Sequence, residues 1–152
     1  MSRGISAVFV AAVLLSTGCN GQTPEAQKAA ADYLQRAAQA PGAVQTSSGL
    51  VFRTLTPGTG AQPKASDVVR VHYKGTLLDG TVFDNSYDRG QPAEFGLAQV
   101  IPGWSEGVAL MPVGSKYTFW IPAELGYGEA GGGPIPPNAM LTFEVELMEI
   151  VK

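Results

Sequence analysis

One short segment, Val100-Ile101-Pro102-Gly103-Trp104, constrains the fold of this chain more than any other part of the sequence. Proline fixes φ at about −65° and has no N–H group, so Pro102 suits the start of a helix. The helix continues over residues 105–111, and its positions i, i+4 and i+7 form an apolar face made of Trp104, Val108 and Met111. From residue 50 to residue 150 the other patterned segments favour strands. We therefore expect the strands to pack against this one helix.

Alternating side chains predict the strands. In Val69-Arg70-Val71-His72-Tyr73-Lys74 the apolar residues share one side, so Tyr73 faces the core and His72, the only histidine, faces solvent. Asp79-Gly80 is typical of a hairpin turn, which returns the chain and places Phe83-Asp84 beside that strand. Similar strand patterns occur over residues 50–53, 116–122 and 141–147. The sequence therefore predicts an α+β fold, an antiparallel sheet with one short helix against its concave face.

Residues 1–18 have the features of an export signal. Arg3 precedes an apolar run over residues 5–15, which is shorter than the about 20 residues of a membrane-spanning helix. Cys19, the only cysteine, follows Leu14-Leu15-Ser16-Thr17-Gly18, a segment that resembles the lipobox of bacterial lipoproteins with Ser16 in place of the usual Leu. The resemblance implies lipidation at Cys19, and Asn20 favours anchoring on the periplasmic side of the outer membrane. The alternative is an ordinary secretory signal with a chance cysteine.

Residues 19–43 predict a tether that contains a helix. The alanine-rich segment 24–39 has Thr23 as its N-cap and Pro24 at its first helical position, and Pro41-Gly42 ends it. The apolar side of this helix is mostly alanine, too small for a long dimerising coiled coil. We expect a monomer in which the tether separates a lipid anchor from one domain over residues 44–152.

Composition and residue placement exclude several classes of function. The net charge of −3 provides no basic surface for nucleic acid. With one histidine facing solvent and one N-terminal cysteine, the chain has no Ser-His or Cys-His nucleophile and no metal-ligand cluster. Residues 126–131 match the G-x-G-x-x-G dinucleotide pattern, but the prolines at 134, 136 and 137 prevent the helix that this pattern requires. We expect no metal and no cofactor.

A large set of aromatic and aliphatic residues remains for function. Each of them could simply belong to the core, but Tyr127 and Ile135 lie in a Gly/Pro-rich loop and Phe83-Asp84 ends a hairpin arm. Side chains at such positions commonly line the mouth of a pocket. The set comprises Tyr73, Phe83, Phe95, Val100, Ile101, Trp104, Tyr127, Ile135 and Phe143.

The order and spacing of several motifs resemble the FKBP family of peptidyl-prolyl cis-trans isomerases, over residues 44–152. They are Val71-His72-Tyr73-Lys74-Gly75, Asp79-Gly80-Thr81-Val82-Phe83-Asp84-Asn85-Ser86, Val100-Ile101-Pro102-Gly103-Trp104-Ser105-Glu106-Gly107, Leu125-Gly126-Tyr127-Gly128 and Ile135-Pro136-Pro137-Asn138. The resemblance implies an FKBP-like sheet wrapped around one short α-helix and isomerase activity on exported, proline-containing polypeptides. It also implies that macrolides such as tacrolimus or rapamycin bind.

The resemblance further implies that this aromatic set, together with Asp84, takes the substrate proline. Trp104 would be the floor, and the Ile101 N–H and the Tyr127 hydroxyl would hold substrate carbonyl groups. Asp84 would either polarise the twisted carbonyl or hydrogen-bond Tyr73, and both roles stay open. Two departures from the family pattern are Ala93, where a further aromatic residue is common, and a loop after Tyr127 that is one residue shorter and has no histidine. A chaperone or binding module that uses the same pocket without turnover is the alternative function.

Overall fold

The computed structural model describes residues 24–151, so the export signal, Cys19 and the Thr23 cap lie outside the described residues. The helices are α1, Pro24–Ala38, and α2, Pro102–Val108, with a short 3-10 turn at Ala123–Leu125. The strands are β1 Ala43–Gln45, β2 Val51–Thr56, β3 Val68–Leu77, β4 Val82–Asn85, β5 Ala93–Gly96, β6 Lys116–Ile121 and β7 Leu141–Ile150. The predicted α+β class is confirmed.

The seven strands form one antiparallel sheet in the order β1-β2-β6-β7-β3-β4, and β5 pairs with the other part of β3. The two long strands, β3 and β7, lie side by side and pair from Val69 opposite Ile150 to Leu77 opposite Leu141. Buried and partly buried residues alternate along both strands, which matches the predicted alternation. Because β3 also pairs with β4 and β5, this single strand connects most of the residues around the predicted pocket.

Helix α2 begins at Pro102, as the sequence predicts, and Ile101 is its N-cap. It ends at Val108 rather than at the predicted Met111, because the chain then tightens into turns in which the Met111 N–H donates to the Val108 carbonyl at 3.0 Å. Met111 is nevertheless fully buried, as are Val108 and nearly all of Trp104. The predicted apolar face is therefore correct although the helix is shorter.

Two glycines allow α2 to lie unusually close to the sheet. A Cβ atom at Gly103 would lie 2.8 Å from Cγ2 of Ile121, and one at Gly107 would lie 2.6 Å from Cε1 of Phe119. Real Cβ contacts are longer than this, so only glycine permits such a backbone approach at these two positions. The apolar spacing predicted a packing face made of large residues, and the contact of the helix backbone with β6 was not predicted.

Helix α1 and His72 both have contacts that the sequence did not predict. Helix α1 contacts β1 and β2, and its residues Ala30 and Leu34 border a cavity beside Met140. Its function as a tether stays a prediction. The side chains of His72 and Tyr73 point to opposite faces of β3, as predicted. The Tyr87 ring stacks on His72, so the histidine is only partly exposed to solvent. The loop after β4 folds back over the outer face of β3 and produces this cover.

Two features are absent from residues 24–151. No helix in this range is long and apolar enough to cross a membrane. Within the same range no group of three or more metal-ligating side chains is found. Residues 126–131, which match the dinucleotide pattern, form turns rather than the start of a helix.

Candidate active site

A cavity of about 340 Å³ lies between the start of α2 and strands β3, β4, β5 and β7. Nine of the ten sequence-predicted pocket residues line it, together with Gln99, which the sequence analysis did not include. The lining residues are Tyr73, Phe83, Asp84, Phe95, Gln99, Val100, Ile101, Trp104, Tyr127 and Phe143. Residues from six separate segments of the chain therefore form one mainly aromatic pocket.

Trp104 is held in place by three aromatic rings. The rings of Tyr73, Phe95 and Phe143 each lie 5.3 Å from the indole, centroid to centroid, and are inclined to it by 80° to 86°. This edge-to-face arrangement is a favoured geometry for aromatic pairs. The indole Nε1 is buried and has no hydrogen-bond partner in the described part of the chain. Trp104 therefore contributes an apolar surface that is fixed on three sides.

Phe83 reaches the pocket because Gly75 has no side chain. A Cβ atom at Gly75 would lie 2.5 Å from Cζ of Phe83 and 2.8 Å from Cε1 of Phe143. The two rings meet above this glycine, edge to face, with centroids 5.4 Å apart. Gly75 lies inside a long strand, where glycine normally weakens the structure, so its position is a signal of close approach that the sequence analysis did not use.

The polar side of the pocket is a network of Asp84, Tyr73 and Arg89. The Tyr73 hydroxyl donates to Oδ2 of Asp84, Arg89 Nη1 donates to Oδ1 of Asp84 at 2.6 Å, and Arg89 Nη2 donates to the Tyr73 hydroxyl at 3.0 Å. The structure thus contains the hydrogen bond that was one of two expected roles for Asp84. Arg89 was missed, because the sequence analysis treated residues 85–91 as a polar loop with no assigned partner.

This network changes the pKa values of its members. Partial burial by itself would raise the pKa of Asp84, but the hydrogen bonds from Tyr73 and Arg89 outweigh it and hold that pKa below its ordinary value. Burial, and then the bond to Asp84, raises the pKa of Tyr73. The bond to Asp84 raises the pKa of Arg89. At neutral pH the site therefore contains an ionised carboxylate, a guanidinium and a neutral phenol.

Two further polar groups are free to bind a ligand. The Ile101 N–H group donates no hydrogen bond within residues 24–151, although the Ile101 carbonyl accepts bonds from Trp104 and Ser105 at 3.0 and 3.1 Å. The Tyr127 hydroxyl has no hydrogen-bond partner in the same range, and Tyr127 is exposed. Both groups belong to residues that line the cavity, so both can serve an acceptor bound there.

Ile135 was predicted to line the pocket, and the structure does not place it there. The residue is only 5% exposed and belongs to the hydrophobic core. Its backbone pairs with Gly132, with bonds of 3.0 and 2.9 Å that fold the Gly/Pro loop back on itself and turn this side chain inward. Gln99, an exposed residue just before α2, takes part in the lining instead.

Comparisons with known proteins agree with this geometry. A family model described as FKBP-type peptidyl-prolyl cis-trans isomerase matches residues 59–148. FkpA of Aeromonas hydrophila is 58% identical over 128 residues, which are 84% of this chain and 48% of that protein. The 22 kDa FKBP-type isomerase of Escherichia coli is 57% identical over 78% of this chain and 58% of that protein. The outer membrane protein MIP of Legionella longbeachae is 47% identical over 84% of this chain and 56% of that protein.

Solved structures show the same fold. The crystal structure of FkpA from Escherichia coli matches with a TM-score of 0.81 at 46% identity and covers 83% of this chain and 59% of that one. A peptidyl-prolyl cis-trans isomerase from Pseudomonas syringae also matches with a TM-score of 0.81, at 38% identity, over 89% of this chain and all of that one. The chain spans about half the length of the curated relatives that it matches. On the sequence match, the fold and the aromatic pocket together, the chain belongs to the FKBP-type peptidyl-prolyl cis-trans isomerase family.

Proposed function

We propose that this protein is a peptidyl-prolyl cis-trans isomerase that acts on X-Pro bonds in exported polypeptides. The observation that carries the proposal is the pocket floor, an indole fixed by three rings and flanked by the free Ile101 N–H group. Rotation about an X-Pro bond crosses a barrier of about 18–20 kcal/mol, because the twisted state loses amide resonance. That twisted amide is less dipolar than the planar one, so a dry aromatic pocket favours it.

Each group of pocket residues would have its own role in binding the peptide. Trp104 would support the pyrrolidine ring, and Tyr73, Phe83, Phe95 and Phe143 would form the walls. The Ile101 N–H and the Tyr127 hydroxyl would bind the carbonyl groups on either side of the proline and hold the peptide while the bond turns. Shortening a relaxation time of tens of seconds to milliseconds requires about 5–6 kcal/mol, and desolvation with a few oriented hydrogen bonds can supply this amount. None of these steps requires a general base.

The test is a protease-coupled assay of Xaa-Pro peptides with purified protein that begins at Asn20. We expect an isomerisation rate well above the uncatalysed rate, and we expect tacrolimus to inhibit it. The matched control is protein with Phe83→Ala and Phe95→Ala, two wall residues on different strands. A wild-type rate equal to background would overturn the enzymatic proposal and leave a binding module.

We also propose that Cys19 is lipidated and anchors the protein to the periplasmic side of the outer membrane. The proposal is supported by the lipobox-like segment before Cys19, by Asn20, and by the relative from Legionella longbeachae that is named an outer membrane protein. Labelled palmitate should enter wild-type protein but not a Cys19→Ser variant, and only the wild type should fractionate with membranes. Wild-type protein found unlabelled in the soluble fraction would contradict the proposal.

We further propose that the protein is a monomer. Ala30 and Leu34 on the small apolar side of α1 are directed towards the chain's own domain, where they border cavities with Met140 and Pro122. That face is therefore partly occupied within one chain. Light scattering coupled to size-exclusion chromatography should give a mass near that of one chain, and a concentration-independent dimer mass would contradict this proposal.

A further inference from the structure

The loop after β4, residues 86–90, contacts both faces of the sheet. On the pocket side Arg89 binds Asp84 and the Tyr73 hydroxyl. On the outer side Tyr87 lies over residues that the pocket does not use. We propose that Tyr87 is a positioning residue for the pocket, which fixes from the outer face the loop that holds Arg89 on Asp84 and Tyr73. This inference rests on the proposed function only for its kinetic readout.

Tyr87 contacts three neighbouring strands of the sheet. Its ring stacks on His72 of β3 with centroids 4.7 Å apart and an angle of 13° between the planes. Its hydroxyl donates to Oε2 of Glu146 on β7 at 3.2 Å. The ammonium group of Lys116 on β6 lies 5.7 Å from its ring centroid. Glu146 pairs in register with both His72 and Lys116, so Tyr87 lies across three residues that are side by side on neighbouring strands.

The loop has little freedom between Tyr87 and Arg89. The Ser86 N–H donates to the Tyr73 carbonyl at 2.9 Å, and the buried Ser86 hydroxyl accepts from the Tyr73 N–H at 2.7 Å. The Arg89 N–H donates to the Ser86 carbonyl at 3.2 Å, and the Gly90 N–H donates to the Tyr87 carbonyl at 3.1 Å. Two overlapping turns thus link the residues that contact the outer face to the one that contacts the pocket.

The pair of Arg89 and Asp84 does not by itself explain the order of this loop. The side chains of Arg89 and Asp84 are 52% and 38% exposed, and ion pairs this exposed stabilise a structure only weakly. Ordering a loop of several residues opposes folding more strongly than such a pair favours it. The aromatic stack and the hydrogen bond of Tyr87 add contact area that the ion pair lacks. Tyr87 therefore adds to the order that the Ser86 bonds and the two turns give the loop, and this order holds Arg89 beside Asp84.

A double-mutant cycle tests this inference on the purified protein that begins at Asn20. If Tyr87 acts through Arg89, Tyr87→Ala should lower kcat/KM about as much as Arg89→Leu does, by about tenfold, and the two changes together should lower it no further. The Tyr87→Phe variant keeps the stack and should recover most of the activity. Effects of Tyr87→Ala and Arg89→Leu that multiply in the double variant would overturn the proposal.

The matched control is Tyr33→Ala on α1, because Tyr33 is 37% exposed and Tyr87 is 39% exposed. This variant should leave kcat/KM unchanged. A readout that does not need turnover is the pKa of Asp84, measured by carbon-detected NMR on labelled protein. Because Arg89 lowers that pKa, Tyr87→Ala should raise it towards the value found in Arg89→Leu.

The NMR measurement separates this proposal from the proposed function. If the wild type shows no isomerase activity but Tyr87→Ala raises the pKa of Asp84, the positioning role stands and the enzymatic function fails. If the pKa of Asp84 in Tyr87→Ala equals that of the wild type, the positioning role is wrong whatever the activity. Should Tyr87→Ala unfold, Tyr87→Leu retains part of the contact area and is subject to the same comparisons.

Discussion

The ring of Phe83 lies over the Cα atom of Gly75, with no room for a methyl group between them. A Cβ atom at this glycine would approach Cζ of Phe83 to 2.5 Å. Gly75→Ala should therefore push Phe83 away from Phe143 and open one wall of the pocket. We expect kcat/KM to fall between about tenfold and a hundredfold and the free energy of unfolding to fall by about 1–3 kcal/mol.

Gly96→Ala is the control for this prediction. Gly96 is also a strand glycine beside β3, but its Cβ atom would meet only the flexible side chain of Gln99, at ordinary distances of 3.5 Å and more. Urea unfolding and the peptide assay should show little change for this variant. Equal losses in the two variants would mean that the contact with Phe83 is unimportant.

Trp104 should report ligand binding directly. The chain has two tryptophans, and Trp120 lies on β6 away from the cavity lining. We expect tacrolimus to change the fluorescence of a Trp120→Phe variant as it changes that of the wild type, and to leave Trp104→Leu unaffected. Leu is preferred to Ala because Trp→Ala in a packed site destabilises by about 3–5 kcal/mol. Normal tacrolimus affinity in a folded Trp104→Leu variant would refute the assignment of the pocket floor.

The ionised state of Asp84 should be visible in the pH dependence of stability. The folded pKa of Asp84 lies below its ordinary value, because the bonds from Tyr73 and Arg89 outweigh the effect of burial. A lowered pKa stabilises the folded state above the unfolded pKa, about 3.9, and this stabilisation is lost as the pH falls through the folded value. The difference in unfolding free energy between wild type and Asp84→Asn should be constant from about pH 5 to pH 8 and shrink below about pH 4.

Asp88→Asn provides the comparison for this series. Asp88 lies in the same loop, but its side chain makes no hydrogen bond or ion pair within residues 24–151. Urea titrations of this variant should follow the wild type at every pH. A stability difference for Asp84→Asn that does not change down to pH 3 would show that the carboxylate charge is unimportant to the fold.

At Gly107 of α2, substitution by alanine should destabilise the protein, although alanine usually stabilises helices. In an exposed helix Gly→Ala stabilises by about 1 kcal/mol, but here the new Cβ atom would lie 2.6 Å from Cε1 of Phe119. We expect Gly107→Ala to destabilise the protein by about 1–3 kcal/mol in urea unfolding. Combining it with Phe119→Leu should cost less than the sum of the two single changes. A stabilising effect of Gly107→Ala would show that α2 does not pack this closely on β6.

Features that depend on neighbours in the sequence were predicted correctly. Pro102 determined where α2 begins, because a proline at the first helical position needs no partner for an N–H group. Alternation along β3 separated Tyr73 from His72, because successive side chains of a strand point to opposite faces. The motif resemblance assigned the aromatic set to one pocket and added Asp84, whereas local pattern alone left each aromatic residue open to a place in the core.

What only the tertiary structure decided concerns residues whose role depends on distant parts of the chain. Arg89 and Gln99 lie in irregular segments, where no periodicity predicts the direction of a side chain, so their places beside the pocket could not be read from the sequence. Ile135 lies in a Gly/Pro-rich loop, where side chains commonly line a pocket, but its pairing with Gly132 turns its side chain into the core. The position of Gly75 inside a strand indicates a close approach, but only the folded chain shows that Phe83 makes it. The contact of Gly107 with Phe119 has no such local signal, because close packing is a property of two surfaces and the sequence describes each surface separately.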